Sequence, residues 1–124
     1  MRNMAFILTT TQVRNRTKDV TRRRGWKNLK PGERVCAIVK GMGLKKGQKV
    51  ERLCIIECVS NTAEWAAELI VEHEPKYSAI RARSEVDREG FPNHSVEWFV
   101  RMLMKHNHMA ATDTVHRIEF TYVD

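Results

Sequence analysis

The run VERLCIIECV, residues 50–59, constrains this chain more than any other stretch. Successive side chains of an extended strand leave opposite faces. Leu53, Ile55 and Val59 fall on one face, and Cys54, Ile56 and Cys58 on the other. Both faces are apolar, so the strand must be covered on both sides, as in a closed barrel or a layered sheet. A second long strand is written at the other end, in TVHRIEFTYV (114–123). There Ile118, Phe120 and Tyr122 alternate inward, with Arg117, Glu119 and Thr121 outward, the pattern of a half-buried antiparallel strand.

Shorter elements fill the rest. AFILT (5–9) predicts a first strand, residues 10–17 a polar turn of helix, and VTRR (20–23) a second short strand. LKPGERV (29–35) carries a Pro-Gly turn, after which Val35–Lys40 reads as a mostly buried strand. The three glycines and three lysines of 41–49 make a loop. Asn61 with Glu64 three residues on predicts a capped helix over about 62–73, and Ser84 with Asp87 a short helix ending at Gly90. Ser95 or Asn93 opens a third helix through VEWFVRMLMKH, with Val96, Phe99, Val100 and Leu103 as its apolar face. Strands, then helices, then a closing strand predict a small α+β domain around a curled sheet, not the regular alternation of a βαβ fold.

The 124 residues suit one domain with one core, and 30% charged against 42% hydrophobic residues is a globular balance. No apolar run approaches the roughly 20 residues of a membrane span, and MAFIL near the start is too short for a signal peptide. The expectation is a cytoplasmic protein with no membrane partner. Cys36, Cys54 and Cys58 have no CxxC spacing, and the last two read as reduced core thiols.

Charge is distributed unevenly. Residues 1–50 hold fourteen Lys/Arg and two Asp/Glu, a balance of +12, while residues 51–124 hold eight and thirteen, a balance of −5. One strongly basic half favours a polyanionic or phosphorylated partner. The densest basic stretch is RNRTKDVTRR (14–23). It reads either as a solvated arm that grips phosphate or as a site.

Within it, Lys18-x-x-Thr21-x-Arg23 resembles the signature GxKxxTxR of the ASCH domain, a member of the PUA-like superfamily, with Arg16 where the signature has glycine. LKPGERV is similar to the family's turn into its next strand, and REGF (88–91) to its acidic Glu-Gly-Phe element, with Glu89 as the acid. The resemblance covers about residues 4–122, with 61–80 as an insertion or divergent part, and looks most like versions found in phages and prophages. It implies a small β-barrel with helices packed around it, and a cleft that binds RNA, DNA or a modified nucleoside. Some small bacterial members are amidohydrolases that remove the acyl group from N(4)-acetylcytidine with a Lys, a Thr and a Glu. Carried over by position, these are Lys18, Thr21 and Glu89. Other members have been reported as ribonucleases, and a non-catalytic binding module is the alternative.

Metal-free amide hydrolysis needs a nucleophile, a base and an oxyanion stabiliser, and the reading assigns no metal or cofactor. Lys18 can be the base only when neutral, and the like charges of Arg16, Arg22 and Arg23 push it that way. Thr21 would be nucleophile, Glu89 proton shuttle and Arg23 binder of a phosphate, a base carbonyl or Glu89 itself. Arg16, Arg24, Lys45 and Lys46 are further candidate contacts to the ligand, with Arg14, Arg16 and Arg22 as an electrostatic rim. Trp26 can stack on a base or belong to the core. HNH (106–108) has no nuclease spacing, and its histidines are expected to cap carbonyls or face solvent. The site reading makes one geometric demand. Lys18 and Thr21 are an odd number of residues apart, so they converge only if Lys18 precedes the strand or the strand bulges.

Overall fold

The computed structural model describes residues 1–123. Nine short elements follow in order: β1 (Asn3–Ala5), α1 (Thr10–Arg14), β2 (Val20–Arg23), β3 (Arg34–Ile38), β4 (Arg52–Trp65), a 3-10 turn (Glu68–Ile70), α2 (Ala79–Arg88), α3 (Val96–His106) and β5 (Thr114–Tyr122). The strands form one mixed sheet in the order β1-β3-β4-β5-β2. Of its four pairings β1 with β3 is parallel and the rest are antiparallel. β1 and β2 are the two edges and do not pair with each other, so the sheet is not closed into a barrel. The fold is small α+β, as its sequence predicts. No helix among the described residues is long and apolar enough to cross a membrane.

The long doubly apolar strand is present and longer than expected. Residues 61–65 continue it where a helix over 62–73 is predicted, and only Glu68–Ile70 turns helically beyond. The capping pair explains the misreading. Asn61 does not cap a helix: its Nδ2 donates to the carbonyls of Trp26 and Leu29, both at 2.8 Å, and its Oδ1 meets His116 Nδ1 at 3.0 Å. An Asn–Glu spacing that caps a helix locally is here satisfied across the sheet.

β4 also carries a bulge. Cys58 faces Phe120 and Ser60 faces Glu119, so Val59 has no partner on β5. One extra residue flips every later side chain to the other face. Cys58 points into the core with Ile56, Ile118 and Phe120. Glu64, six residues on, would share that face in a regular strand. The bulge instead sends it to the opposite face, beside Arg22 and Arg117.

Each face has its own core. Met4, Phe6, Val13, Val35, Ile56 and Phe120 pack on one side, under α1. Ala82, Val86, Phe99, Val100 and Leu103 pack α2 and α3 on the other. β5 is therefore covered on both faces, a correction to its half-exposed reading. Arg117 and Glu119 do not face water alone: Arg117 pairs with Glu85 and Glu119 with Arg88. The alternation is polar because that face carries ion pairs.

The remaining differences are at element ends. β1 stops at Ala5 where a strand over 5–9 is predicted, and Ile7 and Leu8 are about half exposed. The Phe6 carbonyl accepts from Thr9 N and from the Thr10 hydroxyl, which turns the chain into α1. α2 is capped by Ser78, whose hydroxyl accepts from Arg81 N, and Ser84 lies inside it. α3 is capped by Ser95. The three cysteines are unbridged, with Cys36 and Cys58 buried.

Candidate functional site

Lys18 stands two residues before β2, between α1 and the strand. Its placement follows from how α1 ends. The chain leaves α1 through Arg16, whose φ is +59°, with Arg16 N donating to Val13 O and Thr17 N to Gln12 O. This is the paired closure in which the turning residue is usually glycine. This chain fills that left-handed position with arginine. Next, the Lys18 carbonyl accepts from the Tyr122 hydroxyl at 2.6 Å, and Asp19 N donates to the last-turn carbonyl of α2 at Arg88. Lys18 therefore does not have to share a strand face with Thr21.

α2 ends by the same device. Gly90 N donates to Asp87 O and Phe91 N to Val86 O, with Gly90 at φ +101°. A Cβ at Gly90 would lie 2.8 Å from Gln12 Cγ, so close approach as well as backbone conformation requires glycine. Gln12 Nε2 also donates to the Gly90 carbonyl. Glu89 is the residue just before this turn, and its side chain is 3% exposed.

The two ends meet at Lys18 Nζ. It donates to Glu89 Oε1 and to the Glu89 carbonyl, both at 2.8 Å. Burial lowers the pKa of Lys18. Glu89 opposes that shift, and Arg23 and Arg22 add to it. The other oxygen of Glu89 accepts from Arg22 Nη1 at 3.0 Å.

Thr21 and Arg23 share the opposite face of β2. Arg23 Nε donates to Thr21 Oγ1 at 3.2 Å, and its guanidinium lies over the Phe6 ring at 4.4 Å. Burial lowers Arg23 to about 10, only partly offset by the more distant Glu89. Among the described residues no carboxylate pairs with Arg23. Lys18, Thr21, Arg23, Arg24, Trp26 and Glu89 all line one cavity of about 180 Å³, whose far wall is α3 with His106 and Asn107 at its end.

The other candidates are placed elsewhere. Arg16 is exposed, over the Tyr122 ring at 5.1 Å, and does not line the cavity. Lys45 and Lys46 lie in the 41–49 loop and do not reach it. Trp26 does both things its sequence allows: it packs against the core under Arg2 at 4.8 Å and lines the cavity. No group of three or more His, Cys, Asp or Glu among the described residues could hold a metal ion.

Sequence reasoning misses the part played by Arg22. It is not rim but buried, with Nε on Glu64 Oε1 and Nη2 on Glu85 Oε1 at 2.6 Å each, besides Glu89. Burial alone would lower its pKa. The attraction of Glu89, Glu64 and Glu85 outweighs burial and raises it. Tyr77 donates to Glu64 at 2.8 Å and is pushed up to about 12 by burial and that bond. Arg117 holds Glu85 from a second side, and together the two arginines bring Glu85 down to about 2 against the effect of its burial. Buried Lys18 and Arg22, with the largely covered Arg117, face three buried acids, Glu64, Glu85 and Glu89. Glu64 and Glu85 carry no sequence signal of this, because one sits beyond the bulge and the other on a polar helix.

Comparison of the chain with family models, curated proteins and solved structures finds no match in any of the three.

Proposed function

We propose that the cavity binds a nucleobase or nucleoside and hydrolyses an acyl amide on it, with N(4)-acetylcytidine-type substrates as the class. One observation carries this reading: Lys18 Nζ lies 2.8 Å from the Glu89 carboxylate inside a cavity that Thr21 and Arg23 also line. On this reading the chain is an ASCH domain and its open sheet a variant of the PUA-like barrel. Its buried Cys36 and Cys58 thiols suit the reducing cytoplasm.

The chemistry follows from the partners. Burial favours the neutral amine of Lys18, which takes the Thr21 proton as Oγ1 bonds to the acyl carbon. Arg23 Nε already donates to that Oγ1 and so favours the developing alkoxide. The remaining N–H groups of Arg23 face the carbonyl oxygen as it becomes negative. Breaking the C–N bond needs a proton on the departing amine, which Lys18 returns while Glu89 holds it in line. Water then cleaves the threonyl ester, releasing the carboxylic acid and restoring Thr21.

The test is incubation with N(4)-acylated cytosines and cytidines, followed by mass spectrometry for loss of the acyl group. Thr21→Ala is expected to lower turnover by at least roughly a hundredfold while leaving nucleoside affinity intact. The rate is expected to rise with pH through the lowered pKa of Lys18, because the neutral amine is the active form. A rate that falls over that range sinks the assignment of Lys18 as base.

A second reading is a binding module without chemistry, for RNA or DNA. It is favoured by the two bonds from Lys18 to Glu89, which would suit a permanent ammonium. Absence of turnover together with nucleic-acid binding that weakens steeply with salt would decide for it.

A further inference from the structure

The cavity continues outward. A second hollow of about 620 Å³ runs along the outer side of α3 and shares Leu8, Met102 and His106 with the first. Trp98, Arg101, Lys105 and His108 complete its walls. Sites for drug-sized ligands span roughly 300–1,000 Å³. The inner cavity, at about 180 Å³, is below that range and has room for little more than one ring. A larger ligand has to extend into the outer hollow.

The outer walls have a definite chemistry. Leu8 is 50% exposed and Trp98 38%. The indole is held in place by His94, stacked at 3.7 Å, and by Phe91 at 5.3 Å. Arg101 and Lys105 stand one helical turn apart. Among the described residues neither has a carboxylate in salt-bridge range, and the same is true of Arg24, which bridges from the end of β2 to the Asn107 carbonyl. Among the described residues Glu89 is the one acid lining either hollow, and it is held by Lys18 and Arg22. A rigid aromatic and aliphatic floor with a cationic rim complements a nucleotide: the base packs on Trp98 and Leu8, and the phosphate meets Arg101 and Lys105. A purely apolar segment would leave those cations without counter-charge.

We infer that the outer hollow is a subsite for a nucleotide flanking the one whose base enters the inner cavity, so that the ligand is a single-stranded oligonucleotide. A single strand suits the geometry because its base need not be pulled from a duplex to reach Lys18. The inference rests on the reading that the inner cavity takes a nucleobase.

The experiment compares free N(4)-acetylcytidine with trinucleotides carrying the same base at the centre, as ribose and deoxyribose versions. Binding is measured to the wild type, Trp98→Ala, the double variant Arg101→Gln/Lys105→Gln, and Arg23→Met. At least one trinucleotide is expected to bind roughly tenfold or more tighter than the nucleoside, the gain of one base stacked on an aromatic ring. Trp98→Ala should remove that gain and leave nucleoside affinity unchanged. The double variant, which alters only outward-facing side chains of α3, should weaken trinucleotide binding. It should also flatten the salt slope by about 0.7 for each phosphate no longer neutralised. Equal affinity for nucleoside and both trinucleotides, or a gain that survives both outer variants, overturns the subsite. Nucleoside binding that is absent, or that is indifferent to Arg23→Met, overturns the inner-cavity reading instead.

Discussion

Arg22 and Arg23 are neighbours on one short strand, and the fold uses them in opposite ways. Arg22 points to the α2 side, where Glu64, Glu85 and Glu89 take its guanidinium and raise its pKa despite burial. Arg23 points to the other face, where it finds a hydroxyl and an aromatic ring, and burial lowers it to about 10. A buried cation with every donor satisfied is part of the scaffold. A half-buried cation with donors left over, facing a cavity, is available to a ligand. The contrast shows that the basic run is neither an arm nor a site as a whole: alternation of the strand divides it residue by residue.

The largest expected effect comes from breaking the satisfied side. Arg22→Met leaves three buried carboxylates each short of a partner, and loss of one member of a buried ionic cluster costs about 3–5 kcal/mol. Urea unfolding at neutral pH measures it. The pH dependence has a sign. Glu85 is depressed to about 2 in the folded protein, against about 4.3 unfolded, so its contribution is present above that unfolded value and fades as pH falls toward 2. In the variant, Glu85 has lost one of the two arginines that depress it and titrates higher. The stability gap between wild type and Arg22→Met should therefore narrow on acidification to about pH 3. A gap that widens would mean the cluster is not held by charge.

Gly90→Ala attacks the hinge that delivers Glu89 between the two regions. A left-handed backbone costs an L-residue about 1–2 kcal/mol, and the new methyl must also displace Gln12. Reduced thermal stability of that order is expected and, on the proposed amidohydrolase reading, a drop in turnover as Glu89 shifts against Lys18. Full turnover in a destabilised Gly90→Ala would show that the position of Glu89 does not matter to the chemistry.

Arg23→Met is the sharpest test of the comparison itself. It removes a cation that has no carboxylate partner among the described residues, so unfolding free energy should move by less than about 1 kcal/mol, in either direction. Ligand binding should fall at least roughly tenfold, because a charge-assisted hydrogen bond is removed. Destabilisation as large as that of Arg22→Met would erase the distinction between the two arginines.

The parts of this arrangement differ in how far the chain announces them. β2, β5 and α3, and the end of α2 at Gly90, are written in local pattern and turn chemistry, whereas the end of α1 is not, because arginine stands in the left-handed position that glycine usually marks. Lys18, Thr21 and Glu89 stand out as a set only through the resemblance to the ASCH signature, because local pattern alone reads them as an exposed strand edge and a helix-end surface acid. The continuation of β4 through Trp65 is hidden by Asn61 and Glu64, whose spacing imitates a helix cap. Their partners lie instead on β2, on β5 and in the turn after β2. The buried role of Arg22 is hidden for a related reason. It requires the bulge at Val59 to turn Glu64 over, and nothing local in CVSNT marks a bulge. Long-range satisfaction of polar groups is what single-sequence periodicity cannot see. The uneven charge balance points to a basic face, yet it counts Arg22 and Lys18 as surface charge when both are buried and paired.

Arg16 provides the smallest effect and separates backbone from side chain within the same basic run. At φ +59° it occupies a conformation that suits glycine, and its guanidinium lies over the Tyr122 ring. Arg16→Ala removes the guanidinium and keeps the strained backbone. Arg16→Gly removes the same cation but relieves a strain of about 1 kcal/mol. Because both variants lose the same side-chain contacts, Arg16→Gly should be the more stable of the two by about that strain. In an ordinary helix interior alanine would be the better of the two. Here glycine should win, and the order of the two melting temperatures reads this out directly. Alanine above glycine would mean that the chain does not turn through a left-handed residue before Lys18. The route by which Lys18 escapes the strand geometry that would hold it apart from Thr21 would then have to be a different one.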